Sequence, residues 1–118
     1  MERPVAAADF WPKWHEKSGV LLGTGHTIVY TPDWKVDHHG ARHTSYSVYD
    51  PKSAEWLPWM KLEMPEGDEL ASAGAGCVQR LDLADGSILL PIYYTSQGKN
   101  SRVTVCHCSF DGKTLRYL

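Results

Sequence analysis

The side chains best suited to chemistry in this chain are a histidine-rich run, a Cys-His-Cys triplet, two arginines and a few polar residues next to apolar stretches. His38, His39 and His43 form a His-His-x3-His pattern. That is not the spacing of a standard zinc site, and no HExxH motif accompanies it. The three read as histidines of a solvated loop. Cys106-His107-Cys108 reads as part of one strand, where alternation puts His107 opposite the two sulfurs, so the three cannot share a metal. The two cysteines share a face and are badly placed to bond to one another. Together with Cys77 they read as buried free thiols, which leaves the redox compartment open. No metal site and no cofactor is expected. Arg42 and Arg80 could each meet a carboxylate through a two-pronged contact, but both read as surface arginines.

Any site must be held by strands. Ala73 to Tyr94, AGAGCVQRLDLADGSILLPIYY, has two apolar runs around Asp85-Gly86, a strong hairpin signal. Its second run is apolar almost throughout, as in a strand covered on both faces. Further strands are expected at Phe10 to Glu16, Val20 to Tyr30, His43 to Tyr49, Glu55 to Leu62, Arg102 to Phe110 and from Lys113 onward. Cys77 to Leu83 completes the set. Gly23 and Gly25 mark a bulge or a close backbone approach, and Pro58 suits an outer edge. Nothing sustains helical spacing.

Composition narrows the partners. The chain has 118 residues, a formal net charge of −2 and 42% apolar residues. That is one domain or a piece of one, with no basic footprint for nucleic acid. No apolar run approaches membrane-spanning length, and the N-terminus lacks the apolar centre of a signal peptide. Neither nucleic acid nor membrane is an expected partner, and localisation stays open. Five Trp and six Tyr suit a β protein with aromatic packing, and also a carbohydrate surface.

The two halves repeat. Tyr49-Asp50-Pro51-Lys52-Ser53-Ala54-Glu55-Trp56 aligns without a gap on Phe110-Asp111-Gly112-Lys113-Thr114-Leu115-Arg116-Tyr117. Ser18-Gly19 matches Asp85-Gly86 in front of the second strand of each unit. The expected fold is all-β: two consecutive four-stranded antiparallel up-and-down blades of a β-propeller. Residues 1–9 are a loose lead-in, 10–62 the first blade, 63–75 a linker and 76–118 the second blade. In such a meander the short turns lie at one end and the long connections at the other. Binding residues gather on long loops held by a rigid scaffold. That end nominates Tyr93, Gln79 and His26 as ligand-binding residues. Tyr94 points to the opposite side and belongs to the core. The loop carrying Asp37 to His43 overhangs the same mouth.

At these residues the chain resembles the sialidase (neuraminidase) superfamily of six-bladed β-propellers. GAGCVQRLDLADGSILLPIYY is similar to the inner hairpin of a middle blade, with its Gly-rich entry, Cys-x-Gln, Gly turn and Pro-x-Tyr ending. Ser109-Phe110-Asp111-Gly112-Lys113-Thr114 resembles an Asp-box in degenerate form, since Gly112 directly follows Asp111 and Tyr117 stands for Trp. The resemblance covers nearly all of the chain from Phe10 but about a third of such a propeller. It implies a fragment of a glycoside hydrolase acting on terminal sialic acid or a related sugar, with Tyr93 lining the pocket. It also implies that catalysis lies elsewhere. The family's Asp acid/base precedes this segment in order, and its Glu, its Tyr nucleophile and at least two of its arginines follow it. No catalytic residue is assigned here, and the chain alone is expected to be inactive. The abrupt stop at Leu118 reads as a cut, with the remaining blades on a longer chain. The alternatives are a lectin-like module closing its ring as a homo-oligomer of three copies, and a scaffold propeller that has lost its chemistry.

Overall fold

The Asp85-Gly86 turn forms as its residues dictate. Gly86 takes φ +88°, and its N–H donates to the Leu83 carbonyl at 2.9 Å. Asp85 Oδ1 accepts from the Ser87 backbone and hydroxyl at 2.8 and 2.6 Å. The computed structural model describes residues 3–38, 40–67, 70–95 and 100–118. Among them every regular element is a strand: β1 (Val5–His15), β2 (Val20–Val29), β3 (Thr44–Asp50), β4 (Glu55–Trp56), β5 (Met60–Lys61), β6 (Ala73–Gly74), β7 (Leu81–Asp82), β8 (Ile88–Tyr94), β9 (Arg102–Phe110) and β10 (Leu115–Tyr117).

Two antiparallel sheets result, each a meander of four lanes arranged like propeller blades. The first runs β1-β2-β3, with β4 and β5 sharing the fourth lane. Pro58 lies in the break between those two pieces, since it offers no N–H to the ladder. The second sheet runs β10-β9-β8, with β6 and β7 sharing the remaining lane. The Asp turns repeat as their alignment requires. Asp111 Oδ1 accepts from the Lys113 and Thr114 backbone at 2.9 and 2.7 Å. Asp50 accepts from the Lys52 backbone at 2.9 Å and the Ser53 hydroxyl at 3.1 Å.

The core lies between the sheets. Leu22, Tyr46 and Val48 of the first pack with Ile88, Leu90, Ile92, Cys106, Cys108 and Phe110 of the second. Alternation on β9 sends both thiols inward and His107 outward. Two polar tethers cross the same interface. His15 is fully buried, with Nδ1 2.6 Å from Ser18 Oγ and Nε2 2.8 Å from the Gly86 carbonyl. Nε2 therefore carries the proton, because a carbonyl can only accept. Arg80 is 2% exposed. Its guanidinium donates to the carbonyls of Leu22 and Lys13, both at 2.7 Å, and to Asp82 Oδ1 at 2.8 Å.

Several elements depart from the sequence expectations. β1 begins at Val5, ahead of Phe10, and runs on through Pro12 to His15. Val5 to Ala8 of the supposed lead-in are thus paired to Val29 through His26. Alanines are depleted in strands, so Ala6-Ala7-Ala8 gave no strand signal. Ala73–Gly74, placed in the linker from sequence, already pairs with Tyr94 and Tyr93. Cys77 to Leu83 is not one strand: only Leu81–Asp82 pairs with β8, and Gly76, just before the segment, takes φ +55°. Alternation persists there, with Cys77, Gln79 and Leu81 exposed and Val78, Arg80 and Asp82 turned toward the protein. Cys77 is exposed, not buried, and Arg80 is buried, not on the surface.

Thiol reactivity should follow this layout. Burial, with the neighbouring Cys106 adding to it, pushes the Cys108 thiol up to about 12, and burial also raises Cys106. Local desolvation, then the hydrogen bond to and charge of Asp9, raise exposed Cys77 more mildly. A disulfide reagent at mildly alkaline pH is expected to modify one thiol in the native protein and all three in denaturant. Equal reactivity of all three in the native state would contradict the buried pair.

Candidate functional site

The long connections meet at one end of the two sheets. The Arg42 N–H donates to Ser72 Oγ at 3.0 Å, and the Arg42 carbonyl accepts from the Ala73 N–H at 2.8 Å. The loop before β3 is thereby tied to the connection between the sheets. The short turns gather at the opposite end, where a side chain on Gly86 would meet Lys17 and one on Gly112 would meet Ser18.

A polar cluster forms under the stitched loops. His26, near the end of β2, and Tyr93, near the end of β8, are equivalent in the repeat, and the structure brings them together. Tyr93 Oη lies 2.9 Å from His26 Nδ1, with the rings edge to face at 6.1 Å. Glycine makes the approach possible. A Cβ on Gly74 would sit 2.8 Å from His26 Cβ, so β6 passes close to β2 without a side chain between them. Arg42 Nη1 donates from above, 3.3 Å from both Tyr93 Oη and His26 Nδ1. Asp9 closes the other side, its Oδ2 2.6 Å from His26 Nε2.

Donor rules fix the protons. A carboxylate only accepts and a guanidinium only donates. His26 therefore donates from Nε2–H to Asp9, while Nδ1 is the bare acceptor for Tyr93 and Arg42. The His26 hydrogen bond holds the Asp9 carboxyl below its ordinary value against an opposing desolvation, and the Cys77 thiol and the Arg42 charge act in the same sense as His26. The Asp9 side chain is half exposed while that of His26 is almost covered. The chain Asp9–His26–Tyr93–Arg42 thus runs from solvent inward and back out to a half-exposed guanidinium.

Asp9 owes its place to a bulge. The β1–β2 register shifts between Ala8 and Trp11, and Asp9 takes φ +55° there. Asp tolerates that left-handed conformation better than most residues, and bulges are a common means of re-aiming a side chain. Gly25 faces the bulge, where a Cβ would lie 2.4 Å from the Ala8 carbonyl oxygen.

Of the residues nominated from sequence, His26 and Tyr93 are joined and Gln79 is not. Gln79 is exposed on the segment between β6 and β7. Tyr94 packs against the core. Arg42 enters the cluster although it read as a surface residue. Asp9 had no signal beyond being an acid within an alanine-rich run. Of the histidine loop, His38 is exposed and His43 is half-buried, its proton affinity lowered by burial and then by Lys61. His39 lies outside the described residues. Among the described residues no group of three potential metal ligands occurs, and no helix is long and apolar enough to cross a membrane. Comparison with protein-family models, with curated proteins and with solved structures returns no match.

Proposed function

We propose that this chain supplies two blades of a sialidase-like propeller and that its own task is to bind an acidic sugar, of the sialic acid type, at the Asp9–His26–Tyr93–Arg42 cluster. The observation that carries the reading is the convergence of Arg42, His26 and Tyr93 from two sheets at the end that bears the long loops. A guanidinium held beside a phenol offers a carboxylate a charge-assisted contact at a fixed place. The half-exposed Asp9 carboxylate can accept from sugar hydroxyls. Turnover is not part of the proposal. A sialidase-type mechanism needs a Tyr nucleophile activated by Glu, and the one Tyr here is backed by a histidine.

Saturation-transfer NMR or calorimetry with N-acetylneuraminic acid tests the reading. Binding is expected for the acid and should fall at least about tenfold for its methyl ester and for the Arg42→Ala variant. A fluorogenic sialoside should show no turnover. Equal binding of acid and ester, or none at millimolar sugar, would remove the proposal. Hydrolysis lost in Tyr93→Phe would show that the chemistry had been misplaced.

A further inference from the structure

The sheet faces turned away from the shared core are not alike. Cross-strand partners share a face, so Leu22, Val48 and Tyr46 form the inner face of the first sheet, and Gly23, Gly25, Ser45 and Ser47 the floor of its outer one. At the equivalent places the second sheet carries Ile88, Leu90 and Ile92, which fill the core. Glycine on the first sheet leaves a trough instead. Phe10 and Trp56 reach over Gly23, 3.2 and 3.3 Å from where a Cβ would stand. With Pro12, Leu57 and Trp59 they line a cavity of about 520 Å³.

The second sheet has the converse shape. Leu81 pairs with Leu89, Val105 with Pro91 and Val103 with Tyr93, so Leu81, Val105 and Val103 share the face opposite Ile88 and Leu90, while the Tyr93 ring turns back past Gly74 to His26. Val103 is 75% exposed, Leu81 57% and Val105 55%. This is an aliphatic ridge in water. By the repeat it is equivalent to the inner face of the first sheet, Leu22 and Thr24 corresponding to Leu89 and Pro91. That inner face already packs on the face of the second sheet whose equivalent is the trough. The internal contact between the sheets is therefore a template for joining the ridge to the trough.

We propose that the trough of one chain receives the Leu81–Val103–Val105 ridge of a second copy, stacking copies head to tail as the two sheets stack within a chain. The occupant is a copy of this chain because both halves of the contact are present on it and continue an interface it already makes. Such a contact is heterologous, so it closes into a ring or propagates. Apolar patches of this kind are uncommon on soluble monomers.

Sedimentation velocity on the full chain, with two variants, tests this. Unmodified protein at micromolar concentration is expected at a mass of at least twice the 13.3 kDa protomer. Val105→Lys spoils the ridge and Trp59→Glu the trough. Each should weaken association more than about tenfold and leave the β circular dichroism spectrum unchanged. Mixed together, each variant retains one good face, so the mixture should form a one-to-one dimer that neither forms alone. Val105→Lys alters an exposed side chain, so it remains a valid probe if Trp59→Glu fails to fold. A stable monomer, as would occur if a different partner or further blades of a longer protein cover these faces, overturns the proposal. So does an oligomer insensitive to Val105→Lys, or one in which the mixed variants show no rescue.

Discussion

Replacing Arg80 with methionine is expected to destabilise the fold by about 3–5 kcal/mol, the usual cost of removing one member of a buried charged network. Arg80 makes its contacts where the first sheet meets the second. Two carbonyls, of Leu22 and Lys13, and the Asp82 carboxylate all take their hydrogen bonds from its guanidinium. Burial works against that charge and Asp82 works for it. Methionine fills much of the volume but strands three acceptors, and a buried acceptor left unpaired costs about 1–3 kcal/mol on its own. Lysine should recover little, because a single ammonium cannot match the planar fork. Domains of this size hold on the order of 5–15 kcal/mol in total, so the variant should be marginal at room temperature. Urea denaturation followed by circular dichroism measures this, and a loss below about 1 kcal/mol would mean that Arg80 is not a principal tether.

The second large effect is expected at Gly25. Alanine there places a methyl 2.4 Å from the Ala8 carbonyl oxygen, a backbone atom that cannot swing aside. Overpacking of this kind costs about 1–3 kcal/mol. The strain falls on the bulge that sets Asp9, so the Asp9–His26 hydrogen bond should be lost with it. Gly23→Ala is the control. Its methyl meets the rings of Phe10 and Trp56 at 3.2 and 3.3 Å, which can tilt. Nitrogen-edited NMR of the histidines checks the difference. The His26 Nε2–H signal should broaden into solvent exchange in Gly25→Ala and persist in Gly23→Ala. Persistence in both would show that the bulge does not depend on this glycine.

How much of this was legible in the sequence varies by element. The Asp85-Gly86 hairpin and the repeated Asp turns were readable because their signals are local: a glycine at positive φ and a carboxylate bonding two residues ahead. The repeat put His26 and Tyr93 at equivalent positions at one end of the fold, but their hydrogen bond was not legible, since it depends on how the two sheets pack. Asp9 was out of reach because a bulge displaces it, and a bulge depends on the partner strand. Arg80 read as a surface residue because arginine is rarely buried unless paired, and the carbonyls that pair with it belong to Lys13 and Leu22, 67 and 58 residues earlier in the chain. Arg42 stands on a loop whose path is set by hydrogen bonds to Ser72 and Ala73, some thirty residues further along the chain.

The tethers between the sheets also set the order in which the chain can fold. Arg80 reaches back 58 and 67 residues to Leu22 and Lys13, and His15 reaches 71 residues ahead to Gly86. Neither bond can form until both hairpins exist and have found each other. Chains dominated by such distant pairings fold slowly, in milliseconds to seconds, since loop closure must precede the contacts that reward it. During that interval the apolar inner face of the first sheet waits uncovered. A newly made first half is therefore exposed to aggregation until the second has been synthesised.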